Sequence, residues 1–372
     1  MLFTLGSFIR TFALQILQGV QHPDLCFLRG PDRYPLVGGH QTVRGAISRQ
    51  PIGRRRYARS WMDGPHGLAG KTAERYRQLI EAQIIPYLGA IVLQKLKPAH
   101  IADWHDKLVG SGGKDGQPEP LSARTVSHAH RVLYRALARA AAIELVARNV
   151  ASLVKPPKVT ETEIESLKAN EIEAVLMALK DHPLESIAVL ALSTGARRGE
   201  ILALNWGNVD LDAGTIKIER SLEQTKAGLR FKAPKTKNGR RVVSLPPIAV
   251  DALRAHRRRR LELRMALGQG KPEPDALVFS GFNDNPIPPN NLSRDWRRFV
   301  LAHKLPRISF HGLRHSHVSA LIAGGVDALT VSRRIGHASP VVTMKVYAHL
   351  FSGTDKAAAK AIEAALRTGK ER

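Results

Sequence analysis

The chain has 372 residues, long enough for two or three domains that each bury a core, and its 43% hydrophobic content excludes wholesale disorder. Lys and Arg number 57 against 32 Asp and Glu, a formal net charge of +25. Such an excess points to a polyanionic partner, because each cation placed near a phosphate releases condensed counterions.

In chain order, the opening MLFTLGSFIRTFALQILQGV reads as a short amphipathic helix. A signal peptide is a poor fit, since no basic region precedes the apolar run, Arg10 and Gln15 interrupt it, and no small-residue cleavage site follows. Cys26 is the single cysteine, so no intramolecular disulfide and no cysteine-based zinc site can form, and a reducing cytoplasm is the expected setting. No run of about twenty apolar residues is available to span a bilayer, so no membrane partner is expected. Residues 1–65 carry no Lys and no Glu, scatter Gly and Pro, and read as a poorly defined, Arg-rich loop or disordered segment. Within them Arg54 to Arg56 are expected to be a solvated basic tail or a DNA-contacting arm. A further expectation is that this segment is not native coding sequence and that translation starts near Met62.

From residue 66 the pattern changes. KTAERYRQLIEAQIIPYLG, PAHIADWHDKLV and SARTVSHAHRVLYRALARAAAIELV repeat apolar residues at three- and four-residue steps, which predicts amphipathic helices. Pro86, Pro98 and the GSGGKDGQPEP loop bound them, and Ser122 is placed to cap the third. Arg124, His128, His130, Arg131 and Arg135 fall on polar faces, so residues 66–153 are expected to form a small helical domain with a basic face. Residues 154–163, stiffened by Pro156 and Pro157, read as a linker. Residues 164–353 then alternate helical periods with TIKIERS and RRVVSLP, which read as a small antiparallel sheet around the APKTKNG turn. Ser339 and Pro340 form a cap and first turn, which places Tyr347 on a helix. Residues 354–372 read as an Ala-rich C-terminal helix or tail.

Five segments of the second half carry chemistry: TGARRGEIL, APKTKNGRRVVSL, HGLRHSH, RRIGHAS and VTMKVYAHL. Cleaving a phosphodiester with a side chain requires a nucleophile, cations for the phosphorane charge and a proton for the leaving oxygen. Arg197 and Arg314 suit the second task, because a guanidinium is permanently charged and forks onto two phosphate oxygens. His311 and Arg314, three residues apart, share a helix face. A tyrosine, with an ordinary pKa of about 10, attacks only when cations and a base surround it. His311 and His315 have zinc-like spacing, but no Glu follows His311 and no third ligand is evident, so no metal is expected.

In order and content these segments resemble the tyrosine recombinases, the phage-integrase family. TGARRGE is similar to the first arginine box, HGLRH to the second, IGH to the Leu-Gly-His segment, TMKVYAH to the nucleophile segment, and KTKNGRRVVSL to the lysine-bearing hairpin. Ile335 replaces the commoner leucine, and Gly312 stands where the family often has aspartate. The resemblance implies a mainly α fold with a small antiparallel sheet, in which a SAM-like core-binding domain and a catalytic domain clamp DNA. It implies that Tyr347 attacks the scissile phosphate, leaving a 3′-phosphotyrosine and a free 5′-hydroxyl. Arg197 and Arg314 would hold the nonbridging oxygens, and Lys235 would protonate the leaving oxygen, with Lys237 as its rival. His311 would assist proton transfer from the tyrosine, His337 would hydrogen-bond the phosphate, and Glu200 would buttress the site. Arg124, His128, Arg131, Lys237 and Arg240 are the expected DNA contacts. No cofactor is implied. The expected partners are double-stranded DNA at attachment sites, three further copies of the chain, and accessory DNA-bending proteins. A type IB topoisomerase and a non-catalytic, DNA-binding remnant of a mobile element are the competing readings.

Overall fold

Two stretches of helical periodicity gather into two separate apolar cores in the computed structural model, which describes residues 53–64, 67–112, 119–160, 165–234 and 237–351, with 359, 362, 363 and 366. The expectations for the opening helix and Cys26 lie outside the described residues, as does most of the tail.

The first core gathers α1 (Arg54–Asp63), α2 (Gly70–Leu79), α3 (Ile85–Leu88), α4 (Pro98–Ser111) and α5 (Ala123–Ala142). Here the structure corrects the expected tail. Arg54 to Arg56 open a helix whose Tyr57, Ala58 and Met62 are buried, and the Tyr57 hydroxyl donates to Ala136 O of α5 at 2.9 Å. The basic run concealed this helix, because Arg54 is itself buried, its Nε donating to Ile91 O at 2.9 Å, and the other buried positions lie among the exposed Arg55, Arg56 and Arg59. Met62 is therefore part of a packed helix.

Pro86 does not end the preceding helix. A π turn at Ile80–Ile84 joins α2 to α3, with Ile85 N–H reaching back to Ile80 O, and Pro86 falls in the first turn of α3, where its missing N–H is tolerated. The indole of Trp104 on α4 donates to the π-turn carbonyl of Gln83 at 2.7 Å. Ser122 caps α5 by accepting from Thr125 N. Arg124, His128, Arg131 and Arg135 are exposed as expected, but His130 is buried, and its Nδ1 lies 3.1 Å from Nε2 of His105. It falls on the apolar side of α5 with Val126, Ala129 and Leu133.

The second core is built on α7 (Glu185–Thr194), whose Ile187, Ala188, Val189, Leu190 and Ala191 are all buried, the pattern of a helix enclosed on every side. Around it lie α6 (Ala169–Leu179), α8 (Arg198–Ile201), α9 (Pro247–Ala266), α10 (Pro289–Ala302) and α11 (Gly312–Ala323). A smaller apolar cluster joins α11 to α12 (Ala328–Ile335) and α13 (Pro340–Tyr347).

Where one sheet was expected, the described residues form two. β1 (Val209–Asp210), β2 (Thr215–Ile218) and β5 (Arg241–Ser244) form an antiparallel sheet in the order β1-β2-β5, and β3 (Ser221–Thr225) pairs only with β4 (Gly228–Lys232). The β3–β4 hairpin was illegible because β4, GLRFK, alternates basic with apolar side chains and stays largely exposed. Its turn depends on Gly228, whose φ of 115° disfavours other residues. The hairpin meets α2 directly: Lys226 N donates to Glu74 Oε1 at 2.6 Å, and Lys71 Nζ donates to Gln224 O at 3.2 Å.

Removing the Tyr57 ring tests whether α1 belongs to the fold. Tyr57→Ala should lower unfolding free energy by about 3 kcal/mol, and Tyr57→Phe, which loses one buried hydrogen bond, by about 1 kcal/mol. Denaturant melts check both values, and a Tyr57→Ala protein as stable as wild type would return α1 to the status of a tail.

Candidate active site

Two helices end at left-handed glycines, and the carbonyls of those glycines hold the two candidate arginines. Gly195 closes α7 with φ of 61°, and its carbonyl accepts from Arg314 Nη1 at 2.6 Å. Gly336 closes α12 with φ of 68°, and its carbonyl accepts from Arg197 Nη2 at 3.1 Å. A helix C-terminus presents unpaired carbonyls with partial negative charge, which suits a guanidinium. Neither glycine can gain a side chain cheaply. A Cβ at Gly195 would stand 2.6 Å from the His317 ring, and one at Gly336 would stand 2.7 Å from Arg241 Nη1.

Glu200 lies between the cations. Its side chain is only 4% exposed, yet it carries two ion pairs, to Arg197 Nη1 at 2.8 Å and to Arg241 Nη2 at 2.9 Å, and it also accepts from Arg197 N at 2.9 Å. Burial pushes its carboxyl upward, but Arg241 and Arg197 outweigh burial and hold it below its ordinary 4.5. Arg241 escaped the sequence reading, which chose its exposed neighbour Arg240. Its Nε donates to Arg334 O at 2.7 Å, so it ties β5 to α12 as well as to Glu200.

Arg314 is buried at 3% exposure, and its Nη2 has no hydrogen-bond partner among the described residues. Burial, then the charge of Arg197, pushes its pKa down to about 9, still cationic near neutrality. His337 lies beside Gly336 and bonds Thr343 Oγ1 on α13 through Nδ1 at 2.9 Å. Its pKa falls to about 4 through burial and then the charge of Arg314 and Arg197. His311 is exposed as a residue, but lost solvent around the ring, then His315, Arg314 and Arg197, push its pKa down too.

Tyr347, at the end of α13, is 2% exposed. Burial pushes its pKa up to about 12, against the opposing pull of Arg314. Its hydroxyl bonds His315 Nδ1 at 2.5 Å, and His315 in turn stands edge-on to His311, ring centres 4.9 Å apart. The tyrosine thus meets His315 where the sequence reading expected His311. The signal was present in HGLRHSH, since His315 follows Arg314 and lies one turn beyond His311.

Arg197, His311, Arg314, His337 and Tyr347 therefore come together from separate segments. Lys235 lies outside the described residues, and of Lys237 only the backbone is described, as the start of a 3-10 turn at Lys237–Gly239. Asn238 in that turn donates to His337 O and Ala338 O, both at 3.3 Å. The departure at Gly312 has a local reason: a Cβ there would stand 2.4 Å from Ile308 Cδ1.

Residues 165–353 match the phage integrase family, and residues 61–109 match the N-terminal SAM-like domain of phage integrases. An integrase of Streptomyces ambofaciens is 32% identical over 76% of this chain and 73% of its own length. The chain belongs to the phage integrase family. A XerC-like tyrosine recombinase of Caldanaerobacter subterraneus subsp. tengcongensis is 31% identical over 52% of this chain, which spans about half, 53%, of that relative. The fold is also that of the Tn1549 transposon integrase, solved in complex with a circular intermediate DNA, with a TM-score of 0.68, 18% identity, and coverage of 83% of this chain and 98% of that one.

In this integrase-family chain a cleft of about 1040 Å³ runs from the arginines toward the first core. Lys71, Arg197, Arg198, Lys232, Arg294, Arg297 and Arg307 line it with His311, against only Glu165 and Glu223. Arg124, His128 and Arg131 lie on the exposed face of α5, and His128 and Arg131 line a smaller cleft with Lys71 and Arg75. The sequence reading missed most of this lining, because Arg294, Arg297 and Arg307 have no motif of their own.

Glu200→Gln should destabilise the protein by about 3 kcal/mol, because it strands Arg241 in a buried site. The sign with pH follows. A carboxyl whose folded pKa is depressed stabilises fully above its unfolded value, and loses that contribution as pH falls from about 4.5 through the folded value. Wild type should therefore lose stability across that acid window more steeply than Glu200→Gln, as chemical melts at stepped pH would report; parallel curves would disprove the pairing.

Proposed function

We propose that this site-specific recombinase cuts and rejoins double-stranded DNA at specific attachment sites through a 3′-phosphotyrosine on Tyr347. Tyr347 Oη attacks phosphorus, and the 5′-oxygen leaves. Arg197 and Arg314 hold the nonbridging oxygens, where fixed guanidinium charge meets the charge that develops in the phosphorane. His337 donates to the same phosphate, His311 flanks it, and Lys235 protonates the leaving oxygen, with Lys237 as its rival. Glu200 holds Arg197 in place without reacting. Because bond energy is kept in the phosphotyrosine, neither nucleotide nor metal enters the scheme.

The observation that carries this reading is the convergence of four segments on one spot: Gly195 O on Arg314, Gly336 O on Arg197, and Tyr347 beside His315. The basic lining of the cleft suits a duplex backbone, and Lys71 of the first helical group reaches it beside residues of the second. We place a core-binding domain at residues 53–153, a linker at 154–163 and the catalytic domain at 164–353, and take the side of the first domain that carries Lys71, Arg75 and Arg131 as its DNA-facing side. On DNA the chain works as a homotetramer with accessory bending proteins, in the cytoplasm, and it moves a phage or other mobile element into or out of a chromosome. No helix among the described residues is long and apolar enough to cross a membrane.

Rapid denaturation of cells expressing the protein, followed by its capture and sequencing of attached DNA, tests the scheme. Wild type should yield covalent DNA focused at one or two loci, and Tyr347→Phe none. Arg197→Lys, which keeps the charge but loses the fork, should lower adduct formation about 10²–10³-fold. Tyr347-dependent adducts scattered over the genome would favour a topoisomerase instead, and adducts that survive Tyr347→Phe would end this assignment of the nucleophile.

A further inference from the structure

A buried phenol is a poor nucleophile until its proton has somewhere to go. Tyr347 is 2% exposed, and the one hydrogen bond its hydroxyl makes among the described residues is to His315 Nδ1 at 2.5 Å. The other candidates are turned elsewhere. His311 meets the edge of the His315 ring and not the phenol, at 4.9 Å between centres and an interplanar angle of 87°. His337 commits Nδ1 to Thr343. The arginines nearby are donors without an acceptor lone pair.

His315 sits one turn beyond His311 on α11, directly after Arg314, so a single helical turn presents a phosphate-binding cation and a base to the end of α13. Burial, then the charge of Arg314, pushes its pKa down, which leaves the ring neutral near pH 7 with a lone pair free at one nitrogen. In the tautomer whose ring proton is on Nε2, Nδ1 is the acceptor and the phenol Oη–H donates to it.

We propose that His315 is a catalytic residue of this chain, taking the Tyr347 proton at Nδ1 as Oη attacks phosphorus. The inference rests on the phosphotyrosine reading above. The step balances: the Oη–H bond breaks and the proton passes to Nδ1, the Oη–P bond forms, the P–O5′ bond breaks, and the 5′-oxygen leaves with a proton from the acid on its own side. In rejoining, the 5′-hydroxyl attacks the phosphotyrosine and gives its proton back to the acid on its own side, the P–Oη bond breaks, and the His315 imidazolium returns its proton to the departing tyrosine oxygen.

The test uses the full chain and a nicked duplex bearing the attachment sequence recovered from the cellular adducts, with single-turnover cleavage as the readout. His315→Ala should slow cleavage about 10²–10³-fold, and free imidazole should restore part of the rate. His315→Asn separates base from bracket, since its amide oxygen can accept the hydrogen bond but cannot keep the proton. It should be as slow as His315→Ala, and a rate within about threefold of wild type would overturn the proposal. A 5′-bridging sulfur, which leaves without a proton, should not rescue either variant; rescue would move His315 to the leaving-group side and refute the assignment. If either variant melts early, the wild-type protein decides. Nitrogen-15 spectra should show the Nε2–H tautomer of His315, altered in Tyr347→Phe, and an Nδ1–H tautomer would sink the idea. Adducts lost in Tyr347→Phe but normal cleavage by His315→Asn would reject this inference alone, whereas adducts that persist in Tyr347→Phe would reject the parent reading.

Discussion

One buried carboxylate makes the rest of this site affordable in free energy. Arg197, Arg241 and Arg314 crowd a region with little solvent, and three guanidinium groups alone there would repel one another at low effective dielectric. Glu200 lies beneath two of them, at 2.8 and 2.9 Å, and its charge also acts on Arg314. It does not cancel the cluster. The site keeps a net positive charge, turned toward the cleft, and Arg197 remains 42% exposed. Glu200 therefore sets where the charge sits, and a phosphate would supply the balance that the protein withholds.

The backbone does the remaining positioning, and it explains why the arginine and histidine segments are each joined to a glycine. A left-handed glycine ends a helix with carbonyls that have lost their helical partners. Gly195 and Gly336 each point one of those carbonyls at an arginine from the other half of the site. Arg197 thereby ties the end of α7 to the end of α12, and Arg314 ties α11 to the end of α7. Arg334 reinforces the arrangement by donating to Ser193 O at 2.9 Å, Ser244 O at 3.0 Å and the ring of His317 at 3.2 Å. A shift at the end of α7 would disturb both arginines, and one at the end of α12 would disturb Arg197, so their geometry is coupled to packing of the core behind them.

Much of this was legible in the residues, for a reason that also marks the limit. Motifs fix the short-range part: Gly195 two residues before Arg197, Gly336 beside His337, and Ser122 before an apolar period. The helices with a clean 3.6-residue repeat follow from burial of one face. Three features did not show. α1 hid behind its arginines, since its few buried positions carry too little apolar weight to register. The β3–β4 hairpin hid because its exposed strand has only Leu229 and Phe231 as an apolar face, too short a run to register. Arg241 and His315 hid because their partners are distant in the chain: Arg241 reaches Glu200 across 41 positions, and His315 reaches Tyr347 across 32. Local pattern reports which residues are present, while contact at that separation depends on how α7, α11, α12 and α13 pack.

The histidines complete a division of labour. His311, His315 and His337 all have pKa values pushed down by burial and by the arginines, so near neutrality they add no charge to a site already rich in it. Arg314 stays cationic throughout that range, its pKa lowered only to about 9. In the proposed scheme, phosphate binding by fixed charge is thus separated from proton transfer by neutral rings. A histidine that entered the site already protonated would strengthen phosphate binding but could no longer accept a proton from the tyrosine. Keeping the rings neutral preserves that capacity until attack begins, when charge developing on the phosphorane makes an imidazolium beside it favourable.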